Sequence, residues 1–233
     1  MIEIITDRFI INFQNGLEEF VSNSLKVVEK QMPILRSLFL LEVENFKKIE
    51  ASFFTERSEF VGYIKSISNG DIPPKWATGC FYNEGIQTLI NINDEEDVKY
   101  KTHTLMHEMV HLYIQKLVYE KSGVERVRWF DESYASYIDG YIKNITSNQL
   151  KNICEKLIGI GEFDLNILDD INKVKTKEYD GYDMFLIVGK YIFENNLAKH
   201  YLELLKTKPS EIRKVGKTIL EKSINYILKK QKQ

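Results

Sequence analysis

The chain is poor in the residues that usually punctuate or staple a fold. Among 233 residues there are only two cysteines, four prolines and four histidines. Cys80 and Cys154 are far apart and form no CxxC or CxxxC pair, which argues against a disulfide framework and against a thiolate zinc site. No stretch approaches the roughly 18 uninterrupted apolar residues that a membrane span needs. The opening MIEIITDRFIINF carries Glu3, Asp7 and Arg8 among its apolar residues, so it does not read as a signal peptide, and a cytoplasmic location is expected. There is no large excess of either charge: the formal net charge is −2, which argues against a dedicated nucleic-acid binder. The last stretch departs from that balance. From Lys206 to Gln233 nine Lys and Arg stand against two Glu, a net +7, which reads first as the solvated face of a helix.

What is present suffices for a folded protein. Hydrophobic residues make up 43% and charged residues 28% of the chain, a globular composition. Glu3 to Phe13 reads as a strand. From Leu17 to about Leu41 apolar residues recur every three or four positions, the mark of an amphipathic helix, with a kink or break expected at Pro33. Phe46–Thr55 reads as a strand and Glu56–Ile67 as a helix. Asn69 to Pro74 is a turn by composition. Trp76–Tyr82 and Ile86–Ile92 read as strands around Asn83-Glu84-Gly85. The acidic run Asp94–Asp97 suits the positive end of a helix extending from Val98 to Tyr119. Beyond Gly123 the pattern is helical: about Asp131–Lys143, Ser147–Leu157, Tyr182–Glu194, Leu197–Leu205 and Lys217–Lys229. The expectation is an α+β protein, with an α/β lobe over residues 1–122, a helical lobe over 123–233 and the chemistry at their join.

That chemistry centres on His107-Glu108-Met109-Val110-His111. Residues four apart on a helix share a face, about 6 Å apart along the axis, so two imidazoles can converge on one ion. Glu108 is turned to the side, where it can take a proton from water at the metal. A catalytic zinc needs a third protein ligand. No histidine follows at short range, but Glu132 stands 21 residues after His111. Asp131 is expected to cap a helix whose first turn carries Glu132. His103, four residues before His107, falls on the same face and suits a supporting role better than ligation.

The HExxH pentad followed by Trp129-x-x-Glu132-x-x-Ala135-x-Tyr137 resembles the gluzincin zinc metallopeptidases, closest to their M1 aminopeptidase-like branch, within the peptidase MA group. Asp131 and Ser133 replace the Asn and Gly usual beside the ligand, and Ser136 replaces an Asp that orients a zinc histidine in thermolysin-like members. The resemblance is strongest from Trp76 to Gly140. It implies a zincin-type fold with an active-site cleft between the lobes, one zinc per chain held by His107, His111 and Glu132, and Glu108 as general base. It implies a peptide or protein substrate, bound along a strand at Gly79 and Cys80. It also implies a tyrosine that stabilises the oxyanion, with Tyr182 the candidate and Tyr179 the reserve. Tyr82 stands where the aminopeptidases carry their amine-binding Glu, with Glu84 two residues on, which favours an endopeptidase. The rival expectation is a non-catalytic binding module on a zincin scaffold.

Overall fold

A computed structural model describes residues 1–39, 46–68, 70–73, 75, 77–82 and 85–230, with the side chains of 80–82 left aside. The expected helix end near Leu41, and the expectations at Asn69, Pro74, Trp76, Asn83 and Glu84, lie outside these residues. The chain is α+β. It divides into two compact units, Met1–Leu112 and Tyr113–Gln233.

The first unit is built on a five-stranded sheet in the order β1-β2-β3-β5-β4. Its strands are β1 (Ile2–Ile5), β2 (Phe9–Phe13), β3 (Ile49–Phe54), β4 (Gly79–Tyr82) and β5 (Gly85–Leu89). β2, β3 and β5 run parallel, and β1 and β4 pair antiparallel at the two ends. The single expected strand Glu3–Phe13 is therefore a hairpin. The reversal falls where polar Thr6, Asp7 and Arg8 interrupt the apolar run: the Thr6 hydroxyl accepts from the amides of Arg8 (3.3 Å) and Phe9 (2.9 Å).

Helix α1 (Glu18–Phe39) connects β2 to β3, and α2 (Arg57–Ile67) follows β3. Pro33 does not break α1, which continues to Phe39. A proline inside a helix costs about 3 kcal/mol. Burial of Val28, Met32, Leu35 and Phe39 around it offsets that loss, at roughly 1.5–3 kcal/mol for each large side chain. Phe20 of α1 meets Phe53 of β3 edge-on with ring centroids 5.3 Å apart, fixing the helix to the sheet.

The expected helix from Val98 to Tyr119 is three pieces. Helix α3 (Glu95–Lys101) starts at Asp94, whose carboxylate accepts from the amides of Glu96 and Asp97. Helix α4 (Thr104–Ile114) follows after Thr102 and His103, and residues Gln115–Glu120 continue it as a π-helix. Leu105, Met106, Met109, Val110 and Leu112 of α4 are all buried.

The second unit is helical: α5 (Arg128–Ile138), α6 (Ser147–Ile158), α7 (Gly181–Glu194), α8 (Ala198–Thr207), α9 (Pro209–Gly216) and α10 (Ile219–Lys230). Helix α9 was not foreseen in the sequence. No helix among the described residues is long and apolar enough to cross a membrane. Helix α5 packs chiefly on α7, and α7 on α10. The α5–α7 contact is close because Gly189 lies against the backbone of Ser133: a Cβ at 189 would fall 2.2 Å from the Ser133 carbonyl oxygen.

Gly189→Ala tests this packing. Alanine favours a helix over glycine by about 1 kcal/mol, whereas overpacking a tight core costs about 1–3 kcal/mol. Because the obstacle is backbone, overpacking dominates. The variant is expected to melt several degrees below the parent in a calorimetric scan; an equal or higher midpoint contradicts the close approach.

Candidate metal centre

His107 and His111 stand one turn apart on α4, with ring centroids 4.8 Å apart and rings inclined at 77°. Glu132 is the fifth residue of α5, buried at 5% exposure. His107, His111 and Glu132 each offer one ligand atom, and all these atoms lie within 4.8 Å of one another. In a tetrahedral site with bonds of about 2.1 Å, ligand atoms stand roughly 3.4 Å apart, so modest side-chain rotations close the set around an ion. Two imidazoles and one carboxylate also match the donor chemistry of catalytic zinc sites, which keep a fourth position open. The residues present fit a zinc ion.

Helix α5 begins three residues earlier than expected, and Asp131 is not its cap. Val127 occupies the cap position in an extended conformation without a side-chain cap. Asp131 instead takes Arg126: both Nε (2.6 Å) and Nη2 (2.5 Å) reach its Oδ2. Glu132 is consequently in the second turn, four residues from Arg128. Its Oε1 lies 3.8 Å from Arg126 Nη2 and 3.8 Å from Arg128 Nη1. Burial opposes the charge on Arg126, but Asp131 and Glu132 outweigh it and raise its pKa above the ordinary value.

Glu108 is buried beside the start of β4. A Cβ added at Gly79 would fall 3.1 Å from Glu108 Oε1 and 2.9 Å from Thr104 Cγ2. Glycine at 79 thus lets the terminal strand of the sheet approach the carboxylate closely. Cys80 follows in β4, its backbone paired with Gln87 of β5.

Lys101, which carried no role in the sequence reading, lies near the same carboxylate. It is 6% exposed and donates a hydrogen bond to the Thr78 hydroxyl, next to Gly79. Burial lowers its pKa below the ordinary 10.5, partly offset by the negative charges of Asp97 and Glu108. Its seven-residue spacing from Glu108, two helical turns, was the signal that could have found it.

Tyr182 is the second residue of α7; its amide donates to Asp180 at 3.0 Å and its ring meets Phe185 edge-on at 5.7 Å. Tyr179 lies before the helix with its ring against Phe163 at 4.9 Å. Neither tyrosine belongs to the His107, His111 and Glu132 group.

No family model, no curated protein and no solved structure matches this chain.

Lys101 gives the site a pH dependence of known sign. Its folded-state pKa lies below its unfolded one, so between the two the unfolded chain holds the extra proton and stability rises with pH. Buried Tyr119 and Tyr134, whose pKa values burial raises, act in the opposite sense above pH 10. The difference between parent and Lys101→Met isolates the lysine. Chemical denaturation from pH 8 to 10.5 is expected to show the parent gaining on the variant as pH rises; a constant difference contradicts the lowered pKa.

Proposed function

We propose that this chain is a zinc-dependent metallopeptidase of the gluzincin type, with an endopeptidase favoured over an exopeptidase. The observation that carries the reading is the convergence of His107, His111 and Glu132, two residues from one helix and one from another. A buried carboxylate, Glu108, lies between the two histidines in sequence. A structural zinc has no use for that carboxylate; a hydrolytic one does.

When bound, zinc supplies Lewis acidity that polarises a carbonyl and lowers the pKa of water. Glu108 accepts the proton of the attacking water and delivers it to the nitrogen of the leaving amine, so the carboxylate is regenerated each cycle. β4 ends the sheet order and pairs with β5 on one side. Its other edge suits an extended substrate backbone, which would add as a further strand. Gly79 at the start of β4 admits that backbone close to Glu108. Tyr182 is the proposed donor to the oxyanion, and Lys101 adds positive charge beside the general base.

Two measurements test the proposal together. Elemental analysis of the purified chain is expected to give one zinc, lost in His107→Ala/His111→Ala. With a diverse peptide pool read by mass spectrometry, the zinc-loaded parent is expected to produce fragments. Glu108→Gln should keep the zinc and slow cleavage by at least about 10². Zinc retained by the double variant overturns the site. Zinc bound without cleavage of any peptide favours a binding module instead.

A further inference from the structure

The turn that precedes α5 is held with unusual thoroughness. Three successive residues, Arg126, Val127 and Arg128, each have a backbone group bonded to a side chain from another part of the chain. The Arg126 carbonyl accepts from Arg213 Nη2 at 3.4 Å. Val127 both donates its amide to the Tyr119 hydroxyl (3.2 Å) and accepts that hydroxyl's proton at its carbonyl (3.3 Å). The Arg128 amide donates to Asp169 Oδ1 at 2.9 Å. Asp169 is in turn gripped by Arg213, whose Nη1 stands 2.6 Å from its Oδ2. One guanidinium on α9 therefore secures this turn at two points, directly and through Asp169.

Neighbouring contacts hold α9 in place for this. The Arg213 carbonyl accepts from Asn166 Nδ2 at 2.8 Å, and Asn166 Oδ1 accepts from the indole of Trp129 at 3.3 Å. Gly216 lets α9 close on the same indole: a Cβ there would fall 2.7 Å from Trp129 Nε1.

The held turn carries two side chains of consequence, Arg126 and Arg128, whose guanidiniums both stand 3.8 Å from Glu132 Oε1. They supply the positive charge that a buried carboxylate needs. Their positions follow from the backbone of this turn.

We propose that Arg213 and Asp169 are positioning residues for the third metal ligand. By fixing the turn that sets Arg126 and Arg128 against Glu132, they govern the metal affinity of a site to whose ligand set they do not belong. The inference rests on the metal site proposed above. Groups that support metal ligands from behind typically contribute 10- to 100-fold in affinity, and here the support reaches Glu132 through the turn.

The test is zinc affinity of the full chain, measured by competition with a chromophoric chelator. The parent, Arg213→Gln, Arg213→Lys, Asp169→Asn and, as a control, Ile227→Ala are compared. Arg213→Gln is expected to bind zinc about tenfold more weakly than the parent, and Asp169→Asn to weaken it in the same direction. Arg213→Lys can still pair with Asp169 but cannot also fork to the Arg126 carbonyl, so it restores part of the loss. Ile227→Ala opens a cavity in α10 away from the turn. It is expected to lower the thermal midpoint and leave the affinity at the parental value. If Arg213→Gln fails to fold, the lysine and asparagine variants carry the comparison. Affinities within twofold of the parent in both positions, with zinc binding still abolished by His107→Ala/His111→Ala, overturn the clamp alone. A loss in Ile227→Ala equal to that in Arg213→Gln also overturns it, because affinity would then follow stability. A parent that binds no zinc overturns the metal site and the clamp with it.

Discussion

A carboxylate taken out of water must find positive charge, and in this protein the need is met at Glu132. Removing an ion from solvent costs several kcal/mol unless partners compensate it. Arg126 and Arg128 stand beside Glu132 Oε1, and Arg126 is itself anchored by Asp131. The start of α5, the extended conformation of Val127 and the course of the turn before it all serve this arrangement. A site organised in this way has its acidic ligand ionised and oriented before any cation arrives. Binding then spends little on ordering, and metal exchanges against an existing electrostatic arrangement.

The other half of the site follows a different logic. His107, Glu108 and His111 belong to a helix whose remaining faces are buried, so their geometry is set by α-helical spacing and by apolar packing. Glu108 meets the sheet at Gly79, and Lys101 joins the carboxylate's surroundings to Thr78. A proton acceptor needs an environment that neither abandons it to water nor traps it in a tight ion pair. A lysine near enough to act electrostatically, whose hydrogen bond goes to a hydroxyl, is a moderate solution.

How much of this could be read from the sequence depended on the range of the interactions. The histidine pair was legible because i, i+4 spacing has one geometric meaning on a helix. Glu132 was legible through the residues around it, although its helix begins earlier than the polar residue Asp131 suggested. The cap was misread because Asp131 has a competing partner, Arg126, that propensity does not reveal. Pro33 was misread for a similar reason: burial on both sides holds the helix through it. The clamp joins residues 41 and 87 positions apart, and no local pattern announces such pairs. The helix α9 that carries Arg213 was itself missed, its eight residues offering too short a periodicity.

The π-helical stretch Gln115–Glu120 bears on how this protein can tolerate change in length. A π-turn holds more residues per turn than an α-turn, so the stretch behaves as an α-helix that has absorbed an extra residue. Its far end sets the direction in which Tyr119 points, and Tyr119 holds Val127. Deleting one residue from the stretch would restore regular α-helical winding and turn everything after it by about 100°. Insertions and deletions are usually absorbed by loops. Here the segment between the histidines and Glu132 has a fixed count, because its length is also an angle.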